Sequence, residues 1–152
     1  MVKDVFFVRH GDYSFSSGKL NSEGIRLINI LADEILPYTL NKKIVILSSS
    51  AIRTLDSAEI ISNKLNIRFE TKEILCPDNN FDLKAVFNLI QSYIEEADIL
   101  ILVTHLEYTD VLPYYFACKQ LKTTSLKSFP IPKGSAWHIN CVEKTIKIIN
   151  PQ

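Results

Sequence analysis

Residues 99–103 read Ile-Leu-Ile-Leu-Val. A strand with one wet face alternates apolar and polar side chains, so an unbroken apolar run calls for cover on both faces. Such a strand belongs in the middle of a sheet with helices packed above and below it, which narrows the chain to an α/β layer architecture. Residues 2–8, rich in Val and Phe, read as a second buried strand, and residues 44–47 as a short third one.

Helical patterns separate these strands. Ile25, Leu27, Ile28, Leu31, Ile35 and Leu36 share one face of a helix that Asn21 or Ser22 caps and Pro37 ends. Ile52, Leu55, Ala58, Ile61 and Leu65 mark a second helix. Asp82 caps a third, whose apolar face carries Leu83, Val86, Phe87, Ile90, Tyr93 and Ile94. Residues 108–118 read as a fourth, with Pro113 arguing against an uninterrupted one. Residues 67–71 suggest a short edge strand, and 135–142 with 145–149 a closing hairpin. The expectation is a three-layer α/β/α sandwich with a largely parallel sheet, antiparallel at one side, formed by one domain over residues 1–152.

The polar residues fall where such a sheet would gather them. Residues 2–8 run into Arg9-His10-Gly11. Residues 44–47 run into Ser48-Ser49-Ser50, with Arg53 in the first turn of the next helix. Residues 99–103 run into Thr104-His105. Parallel strands end on one side, and ligands of open α/β sheets bind outside those ends. Two arginines and two histidines, distant in sequence, are therefore expected in one crevice. Their guanidiniums offer forked donors for a tetrahedral oxyanion, and a helix beginning near Ser50 adds free backbone N–H groups. No Gly-rich phosphate loop or acidic magnesium cluster stands in the sequence, and the arginines would repel a cation bound between His10 and His105. The sequence points to a phosphoryl pocket without metal or other cofactor.

Composition sets the remaining bounds. Lys plus Arg and Asp plus Glu both number 17, and this balance argues against non-specific nucleic-acid binding. No apolar run approaches the roughly 18 residues of a membrane span. Cys76, Cys118 and Cys141 share no metal-ligand spacing and read as reduced packing residues. With strand-like sequence from the start and no leader read there, a cytoplasmic location is expected.

The motifs together resemble the histidine phosphatase superfamily, also called the phosphoglycerate mutase-like fold. Arg9-His10-Gly11 after a first strand looks like its defining motif. Leu20-Asn21-Ser22-Glu23-Gly24 is similar to its Leu-Thr-x-x-Gly helix opening. Residues 48–58, with Arg53, resemble its Ser-Ser-Pro-x-x-Arg segment, with Ser50 in place of proline. Val103-Thr104-His105 looks like its second-histidine strand end, and Gly134-Ser135-Ala136 also fits. The short chain and the Arg-His-Gly-Asp opening look most like the SixA-type phosphohistidine phosphatases.

That resemblance implies that His10 is a nucleophile carrying a phosphoryl group between substrate and water. It also implies that Arg9, Arg53 and His105 hold the non-bridging oxygens, with His105 donating as an imidazolium, and that Gly11 lets the backbone pass close to the phosphate. The arginines are expected to favour neutral His10. Ester-cleaving relatives carry a carboxylate that protonates the leaving oxygen. Where mutases have Leu-x-Glu, this chain reads Leu75-Cys76-Pro77, with Asp78 one residue on. General-acid catalysis is worth about 10²–10⁴-fold. Its loss matters less for a P–N bond, whose imidazole leaving group accepts a proton readily. The expected partner is thus a protein phosphorylated on histidine, such as a phosphotransfer domain. The alternatives are a small phosphate ester with Asp78 as acid, or a phosphate-binding module with little turnover. His138, in an alternating strand, reads as structural.

Overall fold

In a computed structural model that describes residues 1–78 and 80–152, six strands form one mixed sheet in the order β3-β2-β4-β1-β5-β6. The strands are β1 (Asp4–Arg9), β2 (Ile44–Ser48), β3 (Phe69–Thr71), β4 (Ile99–Thr104), β5 (Ala136–Asn140) and β6 (Thr145–Ile149). β1, β2, β3 and β4 run parallel, whereas β5 and β6 add the antiparallel side. The helices are α1 (Ser22–Ile35), α2 (Ile52–Leu65), α3 (Leu83–Gln91) and α4 (Leu106–Gln120). Among the described residues, no helix is long and apolar enough to cross a membrane.

Strand pleating sorts the core into two layers. Val5, Phe7, Leu100 and Leu102 face one side, where Val86 and Ile90 of α3 and Tyr108, Leu112 and Phe116 of α4 cover them. Phe6, Val8, Ile99, Ile101 and Val103 face the other, under Ile28, Leu31 and Ile35 of α1 and Ala58 and Ile61 of α2. All six residues of β4 are buried, as its unbroken apolar run requires. The three-layer sandwich expected from the sequence is the observed fold.

Two local expectations differ. The helix at residue 82 stops at Gln91 although its apolar period continues through Tyr93 and Ile94. The chain turns there, and the Ile94 carbonyl accepts the Val2 N–H at 2.8 Å, tying the turn to the lead-in of β1. Conversely, α4 runs straight through Pro113. Proline costs a helix one N–H···O bond, but Tyr108, Leu112, Phe116 and Ala117 are fully buried around it, and that packing outweighs the loss.

Candidate active site

Register brings the strand ends level. Arg9 of β1 lies opposite Thr104 of β4, and Ser48 of β2 opposite Val103. His10, Ser49 and His105 therefore leave the sheet at the same edge. Backbone bonds continue the alignment beyond the strands: His10 N–H donates to the Thr104 carbonyl at 3.1 Å and Ser49 N–H to the Val103 carbonyl at 3.0 Å. The His10 and His105 ring centroids are 5.3 Å apart, and both rings are buried.

Arg53 joins them. Its Nε–H donates to His10 Nε2 at 3.2 Å, and its Nη2–H to His105 Nδ1 at 3.1 Å. These bonds fix the tautomers. His10 Nδ1 lies 2.8 Å from the Gly11 carbonyl, which only accepts, so Nδ1 bears the proton and Nε2 keeps its lone pair. In His105 the lone pair is on Nδ1, and Nε2–H donates to Ser49 Oγ at 2.7 Å.

Both imidazoles are neutral at pH 7. The His10 pKa is lowered to about 3, first by burial and then by the charges of His105, Arg53 and Arg9, against the Gly11 carbonyl bond that raises it. His105 is lowered to about 4, again first by burial, then by Arg53, with Asp78 pulling the other way and Arg9 adding to the depression. The arginines favour neutral His10, as expected, but desolvation is the larger cause. His105, expected to donate as an imidazolium, is neutral in this structure because it is buried beside the same cations.

Arg9 stands at the end of β1, with Nη1–H donating to the Ile131 carbonyl at 2.7 Å. Its buried Nε has no hydrogen-bond partner among the described residues. An unpaired buried donor is costly unless a bound group accepts from it. The helix ends carry the same sign. α1 and α3 are capped by the Asn21 and Asp82 side chains. α2 and α4 begin at the crevice behind Ala51 and His105, and neither has a side-chain cap. Uncapped N-termini leave backbone donors and a positive dipole end directed at one place.

Asp78 lies in an exposed turn after Pro77. It borders a cleft of about 370 Å³ with Ser50, Glu73, Ile74, Cys76 and Asn80. Its charge reaches His105, but it is not in the cluster of bonded groups. Among the described residues, no set of three His, Cys, Asp or Glu converges as a metal-ligand group.

Gly11 has a packing reason for being glycine. A Cβ there would meet the Gly24 carbonyl and Ile28 Cγ1, both at 3.0 Å, and Leu20 Cδ2 at 3.1 Å. The missing side chain makes room for α1. His138 is structural as expected, buried with Nε2 2.7 Å from Asp4 Oδ1 and its ring stacked on Phe6.

Several contacts that shape the site escaped sequence reasoning. Ser57 Oγ accepts the Gly11 N–H at 3.0 Å and donates to the Arg53 carbonyl at 2.8 Å, pinning the His10 loop to α2. Its only signal was its place one turn after Arg53. Ser49 orients His105, and Gly134 N–H caps the Arg9 and His10 carbonyls at 3.1 and 3.0 Å.

No family model matches the sequence, and neither does any curated protein. Solved structures do match in fold. The protein histidine phosphatase SixA complexed with tungstate superposes with a TM-score of 0.74 at 17% identity, covering 97% of each chain. A putative phosphohistidine phosphatase SixA from Agrobacterium tumefaciens gives 0.66 at 15% identity, covering 99% of this chain and 97% of the other. A mycobacterial glucosyl-3-phosphoglycerate phosphatase complexed with VO3 gives 0.67 at 12% identity, covering 98% of each. The chain shares its fold with these solved phosphatase structures.

Proposed function

We propose that this chain is a phosphatase that uses His10 as its nucleophile and acts on phosphohistidine carried by a protein. The observation that carries the reading is the lone pair on His10 Nε2, set by the tautomer lock at Gly11 and aimed at Arg53 in a cationic crevice. Nε2 attacks phosphorus in line and forms a P–N bond as the bond to the leaving group breaks. Water then attacks the phosphorus, phosphate leaves, and His10 is restored. Arg9, Arg53, His105 and the open ends of α2 and α4 hold the non-bridging oxygens and the charge that builds on them.

Pro77, where ester-cleaving relatives place their acid, favours an imidazole leaving group, which needs less help with its proton. The second reading is hydrolysis of small phosphate esters, and the reach of the Asp78 charge to His105 is what favours it. The deciding experiment compares turnover of a phosphohistidine-bearing phosphotransfer domain with a panel of small esters, for wild type and Asp78→Asn. Faster phosphohistidine cleavage, indifferent to Asp78→Asn, is the expected result. Efficient ester hydrolysis that falls about 10²-fold or more in Asp78→Asn moves the substrate to small molecules. No turnover of either class leaves a binding module.

Protonation gives a second expectation. Both histidines are neutral because their pKa values are depressed to about 3 and about 4. A bound dianion beside His105 favours its imidazolium and raises that pKa. Binding therefore takes up protons wherever the pH lies between about 4 and the raised value, and affinity rises as pH falls through that window. Sulfate suits the measurement because it does not titrate over this range. Calorimetry in buffers of different ionisation enthalpy should register the proton uptake; a sulfate affinity independent of pH would rule out an imidazolium in the bound state.

A further inference from the structure

We propose that Tyr13 is a positioning residue that holds the Arg53 guanidinium in place while leaving its charge and its remaining donors available to a phosphoryl group. The proposal rests on the reading of Arg53 as an oxyanion donor.

Arg53 needs such a support. It reaches the crevice on a long, flexible side chain from the first turn of α2. Among the described residues, no carboxylate is in ion-pair contact with it. A carboxylate would fix the guanidinium but would also compete with substrate for its positive charge. An aromatic face attracts a cation through its quadrupole without neutralising it. Tyr13 supplies that face: Arg53 Cζ lies over its ring, 4.9 Å from the centroid. Meanwhile Nε–H and Nη2–H stay on His10 and His105.

The same ring sits edge-on to the nucleophile. The His10 and Tyr13 centroids are 5.4 Å apart with planes at 75°. Tyr13 thus touches both halves of the Arg53–His10 contact. On its outer side, Phe15 packs edge-on at 5.4 Å and is itself 91% exposed. Lys133 Nζ lies 5.2 Å from the Tyr13 centroid while paired with Asp12 Oδ1 at 3.2 Å.

The ring does not hold its own loop. The Tyr13 backbone bridges to Leu20. The intervening residues close on themselves through Ser14 N–H to the Lys19 carbonyl at 2.9 Å and Gly18 N–H to the Ser14 carbonyl at 2.7 Å. Asp12 is anchored by Asn21 at 2.9 Å as well as by Lys133. Losing the ring therefore removes its contacts and leaves the loop. Leucine keeps the apolar contact that Tyr13 makes with the core between α1 and α2.

The test uses Tyr13→Leu and Tyr13→Phe in the full chain, with two readouts. One is the affinity for orthovanadate together with the split between kcat and KM. The other is the Arg53 Nε–H resonance, which a hydrogen bond to His10 keeps resolved and slowly exchanging, read beside the backbone amide spectrum. Tyr13→Leu is expected to bind vanadate about tenfold more weakly, to lower kcat/KM by a similar factor and to lose the Arg53 resonance within a native amide spectrum. Tyr13→Phe, which keeps the ring, recovers affinity to within about threefold and retains the resonance.

Wild-type affinity and an intact resonance in Tyr13→Leu overturn the proposal. So does lost affinity with the resonance intact, because the ring would then touch the ligand rather than act through Arg53. A lost resonance with affinity unchanged also overturns it, since the anion would not be using the placement. Absence of the resonance from the wild type removes the contact on which the argument stands. If wild type fails to bind vanadate while Tyr13→Leu still loses the resonance, the phosphatase reading fails and the support of Arg53 by Tyr13 stands.

Discussion

Alanine at position 10 is expected to remove turnover by about 10⁴-fold or more while leaving the chain folded. Deleting a nucleophile removes the covalent route altogether, and such losses are among the largest single-residue effects in catalysis. The fold should tolerate the change for local reasons. His10 follows the end of β1, its backbone N–H stays bonded to the Thr104 carbonyl at 3.1 Å, and its carbonyl still receives Gly134 N–H at 3.0 Å. The imidazole gives up bonds to Gly11 and Arg53, and a water in the crevice can replace it beside the guanidinium. The check is single-turnover kinetics on a phosphohistidine-bearing domain, with native circular dichroism as control. Wild type quenched in alkali, where phosphohistidine survives, should carry phosphate on His10; His10→Ala should carry none. A folded His10→Ala protein with wild-type turnover would move the nucleophile elsewhere.

The convergence of Arg9, His10, Arg53 and His105 was legible because it depends on few and strong rules. An unbroken apolar run such as 99–103 puts β4 inside a covered sheet, and parallel neighbours then end on the same side. The residue after each strand is placed by register alone, without any knowledge of side-chain packing. Asn21 and Asp82 were legible for a similar reason, since a cap is a local contact with the following turn. Tyr13, Ser49, Ser57 and the reason for Gly11 were not legible, because each depends on a tertiary approach between segments far apart in sequence. The depressed pKa values belong to the same class. Burial, their largest cause, follows from how α2, α4 and the loops close over the crevice. The missing side-chain caps of α2 and α4 are visible in the sequence as Ala51 and His105, but they gain meaning only when both helices are seen to begin at one point.

Gly24→Ala is expected to lower stability by about 3 kcal/mol, the upper end of what overpacking costs, and to impair turnover with it. Gly24 lies in the first turn of α1, where its N–H donates to the capping Asn21 Oδ1 at 2.8 Å. A Cβ on Gly24 would fall 2.1 Å from the Asp12 carbonyl oxygen and 2.9 Å from the Asp12 nitrogen. Both atoms are backbone, so no rotamer change relieves the clash. Either α1 backs away from the sheet or the loop carrying Asp12 and Tyr13 moves. The first opens the packing of Leu27, Ile28 and Leu31, all buried. The second displaces the ring beside Arg53 and strains the His10–Gly11 link that fixes the tautomer. Gly18→Ala is the control. Gly18 has φ +76°, and a Cβ there stands 3.6 Å from Ile52 Cδ1. It should cost only the roughly 1 kcal/mol of a left-handed non-glycine residue. Urea unfolding of the two variants beside wild type measures the difference at constant m-value. A Gly24→Ala midpoint equal to that of wild type would mean that α1 and the Asp12 loop do not approach this closely, and the seating of Tyr13 beside Arg53 would have to be redrawn.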